Sequence, residues 1–125
     1  MKDIIFSIHS NKPIYQQVYE QLSSQIMLKE ILPNTQLPSI RKTAIELRVS
    51  IITIKKAWNM LEQNKFIYTI AGKGSYVAEN SDVTLQDKKT ELIQQDLRNI
   101  IETSKNLGIT EEELQYLVNK LYHSK

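Results

Sequence analysis

The chain has 125 residues, 41% of them hydrophobic and 24% charged, which suits one ordinary globular domain or a small domain with an appendage. It contains no cysteine, so a disulfide scaffold and thiolate-based metal sites are excluded. Its formal net charge of +2 conceals an asymmetry: residues 1–80 carry ten Lys/Arg against six Asp/Glu, and residues 81–125 carry six against eight. A mildly basic first part permits nucleic-acid binding without requiring it. No apolar run approaches the ~18 residues of a membrane span. The opening M-K-D-I-I-F-S-I-H-S has an early acid and too short an apolar stretch for a signal peptide. The expectation is a soluble cytoplasmic protein.

Pro13 suits the first turn of a helix, and Ile14, Tyr15, Val18, Tyr19, Leu22 and Ile26 then recur at helical spacing, predicting a helix from Ile14 to about Lys29. Ser39 reads as the N-cap of a second helix from Ile40 to about Leu47. Ser50 reads as the N-cap of a third, from Ile51 to about Gln63, so the two helices meet through a very tight turn. Phe66–Ile70 and Ser75–Ala78 are β-rich around a Gly72-Lys73-Gly74 turn, the signal of a hairpin. Residues 79–84 are polar and turn-prone, predicting a linker. From Leu85 to about Asn106 the apolar residues again have helical spacing. Gly108 breaks that run, and Thr110 with Glu113 forms a capping box for a last helix.

One long helix, then helix, tight turn, helix and hairpin, is the order of a winged helix-turn-helix. Ala44 supplies the small residue that lets the two short helices approach, and Val49 plugs the turn between them. The predicted fold class is therefore mostly α with a small β-hairpin wing. Residues 1–80 form the winged helix-turn-helix and residues 81–125 a two-helix C-terminal dimerisation segment.

The motifs P-I-Y-Q-Q, L-P-S-I-R, V-S-I-I-T-I, the Leu61-Glu62 pair closing the third helix, and G-K-G-S-Y-V occur here in the order found in the GntR family of bacterial transcription regulators. The chain resembles that family over about residues 10–80, and its short helical tail resembles the YtrA-type subfamily. The resemblance implies a dimeric DNA-binding regulator whose arginine of L-P-S-x-R, third-helix start and wing turn touch DNA. Carried over by position, these are Ser39 and Arg41, then Thr53 and Lys55, then Gly72, Lys73 and Gly74. It further implies control of a neighbouring transporter operon. This sequence departs from the family in three places. Ile51 follows V-S where a polar or basic residue is usual. Arg48 stands at a turn position often held by glycine, where a left-handed backbone is expected. Asn34 replaces the glycine ahead of L-P-S and tolerates turn geometry.

The third helix carries an unusual start, I-I-T-I-K-K. With Ile54 set toward the core and about 100° per residue, Ala57, Trp58 and Leu61 fall within about 60° of it. Ile51 lies about 60° away, at the core edge, and is expected to be half-buried. Ile52, Lys56 and Asn59 lie within about 40° of the opposite pole. An exposed isoleucine beside Lys55 and Lys56 fits a major groove, where a thymine methyl is read by apolar contact and lysines neutralise phosphates or reach a guanine edge. Half-sites containing A·T pairs are the expectation. The ordinary alternatives are a singly exposed apolar residue, a solvated lysine face, and Arg41 paired with Glu46 or Glu20.

Other chemistries find less support. G-K-G-S lacks the spacing of a phosphate-binding loop and joins two strands rather than a strand and a helix. His9 and His123 have no ligand-spaced partners, so no metal or cofactor is expected. Glu111, Glu112 and Glu113 sit in a first turn, where they complement the helix dipole. Tyr15, Tyr19, Tyr68, Tyr76 and Trp58 read as core and hairpin packing rather than a ligand box. Without a Ser-His-Asp or Cys-His set, an enzyme is not expected.

Two amphipathic helices cannot bury both their apolar faces alone. Leu92, Leu97, Ile100, Ile101, Leu114, Leu117 and Leu121 are therefore assigned to a homodimer, which suits a pseudo-palindromic operator. The expected partners are double-stranded operator DNA and a second copy of the chain, with no membrane. A small-molecule effector would sit where the tail meets the winged unit. The rival reading from another class is a winged-helix protein-interaction module in which Ile51 and Ile52 dock a protein and the lysines are incidental.

Overall fold

The computed structural model describes residues 4, 7, 10–80 and 82–124. Most of the opening stretch read for a leader, including His9, and Ser81 of the expected linker lie outside the described residues. The elements are α1 (Ile14–Met27), α2 (Ile40–Leu47), α3 (Ile51–Gln63), β1 (Ile67–Ile70), β2 (Gly74–Val77), α4 (Asp82–Asn106) and α5 (Glu111–Tyr122). They form two compact units, Met1–Ser81 and Asp82–Lys125.

In the first unit, α1 packs on α3, and α3 packs on both α2 and β1. The core is the periodic face of each element: Val18, Leu22 and Ile26 from α1, Ala44 from α2, and Ile54, Ala57, Trp58 and Leu61 from α3, with Phe66, Ile67 and Val77 from the hairpin. Val49 fills the α2–α3 turn against this core, as its position in the sequence implied. Tyr19 meets Phe66 edge-on, with centroids 6.2 Å apart. Its hydroxyl is buried and has no hydrogen-bond partner among the described residues. Burial pushes the Tyr19 phenol above its ordinary range; the Glu20 charge adds to this and the Asn64 side chain opposes it.

The helix ends have definite local causes. Ser39 accepts from the Lys42 N–H at 3.1 Å and Ser50 from the Thr53 N–H at 3.0 Å, each satisfying an orphan donor of its helix. At the other ends, Lys29, Arg48 and Lys65 all take a left-handed backbone, with φ of 58°, 57° and 62°. Arg48 thus adopts the conformation expected from the glycine it replaces, as does Asn34 at φ 65°. Helix α1 ends at Met27, two residues before the expected limit. The backbone turns there through Lys29, and the Glu30 N–H donates to the Gln25 carbonyl at 2.8 Å.

Gln17, in the P-I-Y-Q-Q motif, is a buried polar anchor. Its amide donates to the carbonyls of Ser7 and Lys12, and its side-chain oxygen accepts from the Ser7 N–H at 2.8 Å. The wing pairs Ile67 with Val77 and Ile70 with Gly74, so Gly74 belongs to β2 rather than to the turn. Residues 34–37 also pair with β2: Asn34 N–H donates to Val77, Val77 N–H to Thr35, and Leu37 N–H to Ser75. The hairpin signal did not reveal this third extended segment.

The second unit is α4, a tight break at Gly108 (φ 74°) and α5. Helix α4 starts at Asp82, so the polar D-V-T assigned to a linker is helical. A polar first turn is usual in helices, and a search for apolar periodicity does not register it. The capping box forms as expected: Thr110 accepts from the Glu113 N–H at 3.2 Å, and Glu113 accepts from the Thr110 N–H.

Candidate nucleic-acid interface

The segment joining α1 to α2, which pairs with the wing, positions the first group of candidate residues. Ser39 spends its hydroxyl on the α2 cap, which places Arg41 in the exposed first turn. Ser39 is therefore a backbone organiser here, and Arg41 presents the charge. Lys12, not Arg41, pairs with Glu20, at 3.0 Å. The side chains of Arg41, Lys42, Lys55 and Lys73 make no ion pair or hydrogen bond among the described residues. Lys42, beside Arg41 in the same first turn, was missed in the sequence. A lysine next to a motif arginine carries no signal of its own until the turn is seen to be exposed.

Helix α3 supplies the second group. Ile54 is fully buried, while Ile52 is 70% exposed and Ile51 is 44% exposed. The helical wheel therefore holds: Ile51 sits at the core edge and Ile52 faces outward. Thr53 shares its hydroxyl with Ser50 at 2.8 Å, which ties it to the cap. Lys55 and Asn59 are exposed. Lys56 is exposed too, but its ammonium lies over the Tyr15 ring of α1, 5.0 Å from the centroid. Such a contact stabilises by about 0.5–1 kcal/mol at an exposed site. Tyr15, read from the sequence as packing, is thus a seat for a lysine of the outward face.

The wing supplies the third group. Gly72 has φ 78° and Gly74 φ 128°, both favouring glycine. Lys73 sits between them, its N–H bonded to the Ile70 carbonyl at 3.0 Å. Tyr68 and Tyr76 stack across the strands at 5.6 Å, and the Tyr68 hydroxyl donates to the Asn34 side chain at 2.9 Å. On the other face, Thr69 donates to Glu62 at 2.7 Å, fixing the hairpin to α3.

The seven residues assigned to dimerisation lie in the second unit. Leu92, Leu97, Ile100, Ile101, Leu117 and Leu121 are exposed and Leu114 is partly buried; helix α5 has no fully buried residue. Between α4 and α5 runs a groove of about 600 Å³, lined by Leu97, Ile101, Ile109, Leu114, Val118 and Tyr122. Among the described residues no group of His, Asp or Glu side chains is placed to hold a metal ion. Nor is any described helix long and apolar enough to cross a membrane.

A three-helix core with a short second helix, a hairpin wing, and exposed cations on the α2 start, α3 and the wing is the build of a winged-helix DNA-binding transcriptional regulator. The family model "Bacterial regulatory proteins, gntR family" matches residues 14–77, and the chain belongs to the GntR family. It is similar to the transcriptional repressor YtrA of Bacillus subtilis, with 32% identity over 113 residues, 90% of this chain and 86% of that one. A GntR family transcriptional regulator from Listeria monocytogenes shares the fold at a TM-score of 0.71 and 30% identity, over 92% of this chain and 98% of that one. A structure of AraR(DBD) in complex with operator ORX1 aligns at a TM-score of 0.54 and 32% identity, over 61% of this chain and 95% of that one. These relatives are transcriptional regulators rather than enzymes.

Proposed function

We propose that the protein is a homodimeric cytoplasmic repressor that occludes a promoter by binding a pseudo-palindromic operator. The observation that carries the reading is the set of exposed cations Arg41, Lys42, Lys55 and Lys73, unpaired among the described residues, on the elements that open α2, form α3 and tip the wing. Buried or paired, these charges would be structural; exposed and unpaired, they are suited to phosphate. The AraR domain, of the same fold and held on an operator, supports the assignment. In this reading Arg41 and Lys73 fix the protein on the backbone, while Thr53 and Asn59 line the groove beside Lys55. Lys55 contacts phosphate or a guanine edge, and Ile52 contacts a thymine methyl. Lys56 reaches phosphate from its seat on Tyr15. Ser39, Gly72 and Gly74 shape the backbone that presents these groups. The exposed apolar residues of α4 and α5 close against a second copy, which brings two such units to two half-sites.

Fluorescence anisotropy on the DNA upstream of the protein's own gene, against scrambled DNA of equal composition, tests this. Tighter binding to the native fragment, weakened by Arg41→Ala, is expected. With about 6–10 phosphates contacted, affinity falls by about 10³–10⁵ between 50 and 200 mM salt. Salt-insensitive binding, or binding unaffected by Arg41→Ala, would favour the protein-docking alternative. Ile52→Ala should lose affinity on a thymine-containing site and lose less where uracil, which lacks the methyl, replaces it. An equal loss on both would remove Ile52 from base reading.

A further inference from the structure

We infer that Gln36 is a positioning residue that sets the wing tip for DNA and ties it to the start of α2; the inference rests on the DNA-binding reading above. Gln36 forms an antiparallel bridge with Tyr76 of β2. Its neighbours Thr35 and Leu37 hydrogen-bond to Val77 and Ser75 at 2.9 and 2.8 Å, so the backbone on both sides is fixed to the strand. From that fixed point the side chain runs along β2 to the turn, where its amide donates to the Lys73 carbonyl at 2.9 Å.

The contact has a shape requirement as well. A Cβ on Gly74 would lie 2.8 Å from the Gln36 amide nitrogen, so a side chain at 74 would displace Gln36. Gly74 therefore has two reasons to be glycine: its φ of 128° and the glutamine laid against it. The Lys73 backbone is held at both of its polar groups, its N–H by Ile70 and its carbonyl by Gln36. A short hairpin whose tip is clamped this way presents Lys73 with less freedom to lose on binding. The chain leaving Gln36 passes through Leu37 and Pro38 to the Ser39 cap, and Arg41 follows in the first turn. Two cations 32 positions apart in the sequence, Arg41 and Lys73, are thus referred to one residue.

Gln36 is uncharged, and this gives the test its discrimination. Replacing it by methionine keeps length and volume and removes the donor. Gln36→Met should weaken operator binding by about three- to tenfold, the range set by one net hydrogen bond. If Lys73 is thereby lost from its phosphate, the salt slope should also drop by about 0.9, as for Lys73→Ala. The double variant Gln36→Met/Lys73→Ala should bind no worse than Lys73→Ala alone, since both act through one contact. Urea denaturation should show each variant fully folded under the conditions of the binding assay, because Gln36 is exposed and a single hydrogen bond is removed. Wild-type affinity and slope in Gln36→Met, or additive losses in the double variant, would overturn the inference while leaving the DNA-binding reading intact. A wild-type protein with no salt-dependent binding would overturn both.

Discussion

The two units of this chain solve the problem of apolar surface in opposite ways. In the winged unit, Leu22, Ile54, Leu61, Phe66 and Val77 are all essentially removed from water. In the tail, α4 and α5 leave Leu97, Ile100, Leu117 and Leu121 exposed, and α5 buries none of its residues. Three helices and a hairpin enclose a core; two helices make only a groove. The first unit buries its apolar surface by itself, whereas the second leaves much of its own uncovered, and the proposed cover is another copy of the chain.

The contrast can be broken most forcefully in the core. Phe66→Ala should cost the winged unit about 3–5 kcal/mol, a large part of a small domain's total stability. Urea denaturation followed by Trp58 fluorescence reads it. The same truncation at Leu117 in the tail should leave the winged unit's transition within about 0.5 kcal/mol. An equal loss at both positions would mean that the two units do not divide the work in this way.

Next in size is the paired charge substitution Ile100→Asp/Leu117→Asp. It should raise the dimer dissociation constant by more than about a hundredfold, because carboxylates would be desolvated in an apolar interface. Sedimentation velocity across a concentration series measures this, and a variant as dimeric as the wild type would place the interface elsewhere. Smaller, and opposite in sign, is Arg48→Gly. Relief of the left-handed backbone at 48 should stabilise the winged unit by about 1 kcal/mol, seen as a higher urea midpoint.

An effect of similar size concerns Tyr19. Its phenol is raised above 10.0 in the fold, so folding favours the neutral form. The unfolded chain deprotonates first as the pH climbs past 10.0, and stability contributed below that pH is lost as it rises toward the folded value. Tyr19→Phe should lack this alkaline loss and gain about 1 kcal/mol at neutral pH by removing an unpaired buried hydroxyl. Urea midpoints at pH 7 and pH 10.5 compare the two proteins.

Much of the winged unit was legible because its cues are local. Ser39 and Ser50 announce the starts of α2 and α3, and the period of Ile54, Ala57, Trp58 and Leu61 marks the buried face. Arg48 could be assigned a left-handed backbone because it stands where glycine is usual. What escaped depends on contacts distant in sequence. The pairing of residues 34–37 with β2 leaves no alternation in N-T-Q-L, and nothing near Lys56 indicates that Tyr15 lies beneath it. In the tail, α4 begins earlier than its apolar pattern because its first turn is polar. The exposed leucines and isoleucines were legible as an apolar face, since helical spacing alone sets that face.

The most direct test of the division between the units is selection of binding sites from a pool of random-sequence duplexes, followed by sequencing of the enriched pool. An inverted repeat with A·T pairs in each half-site is expected, the half-site centres one helical turn of about 10 bp, or a multiple of it, apart. Enrichment of a single unrepeated half-site would contradict the two-copy arrangement, and enrichment of no sequence at all would contradict the DNA-reading role of the winged unit.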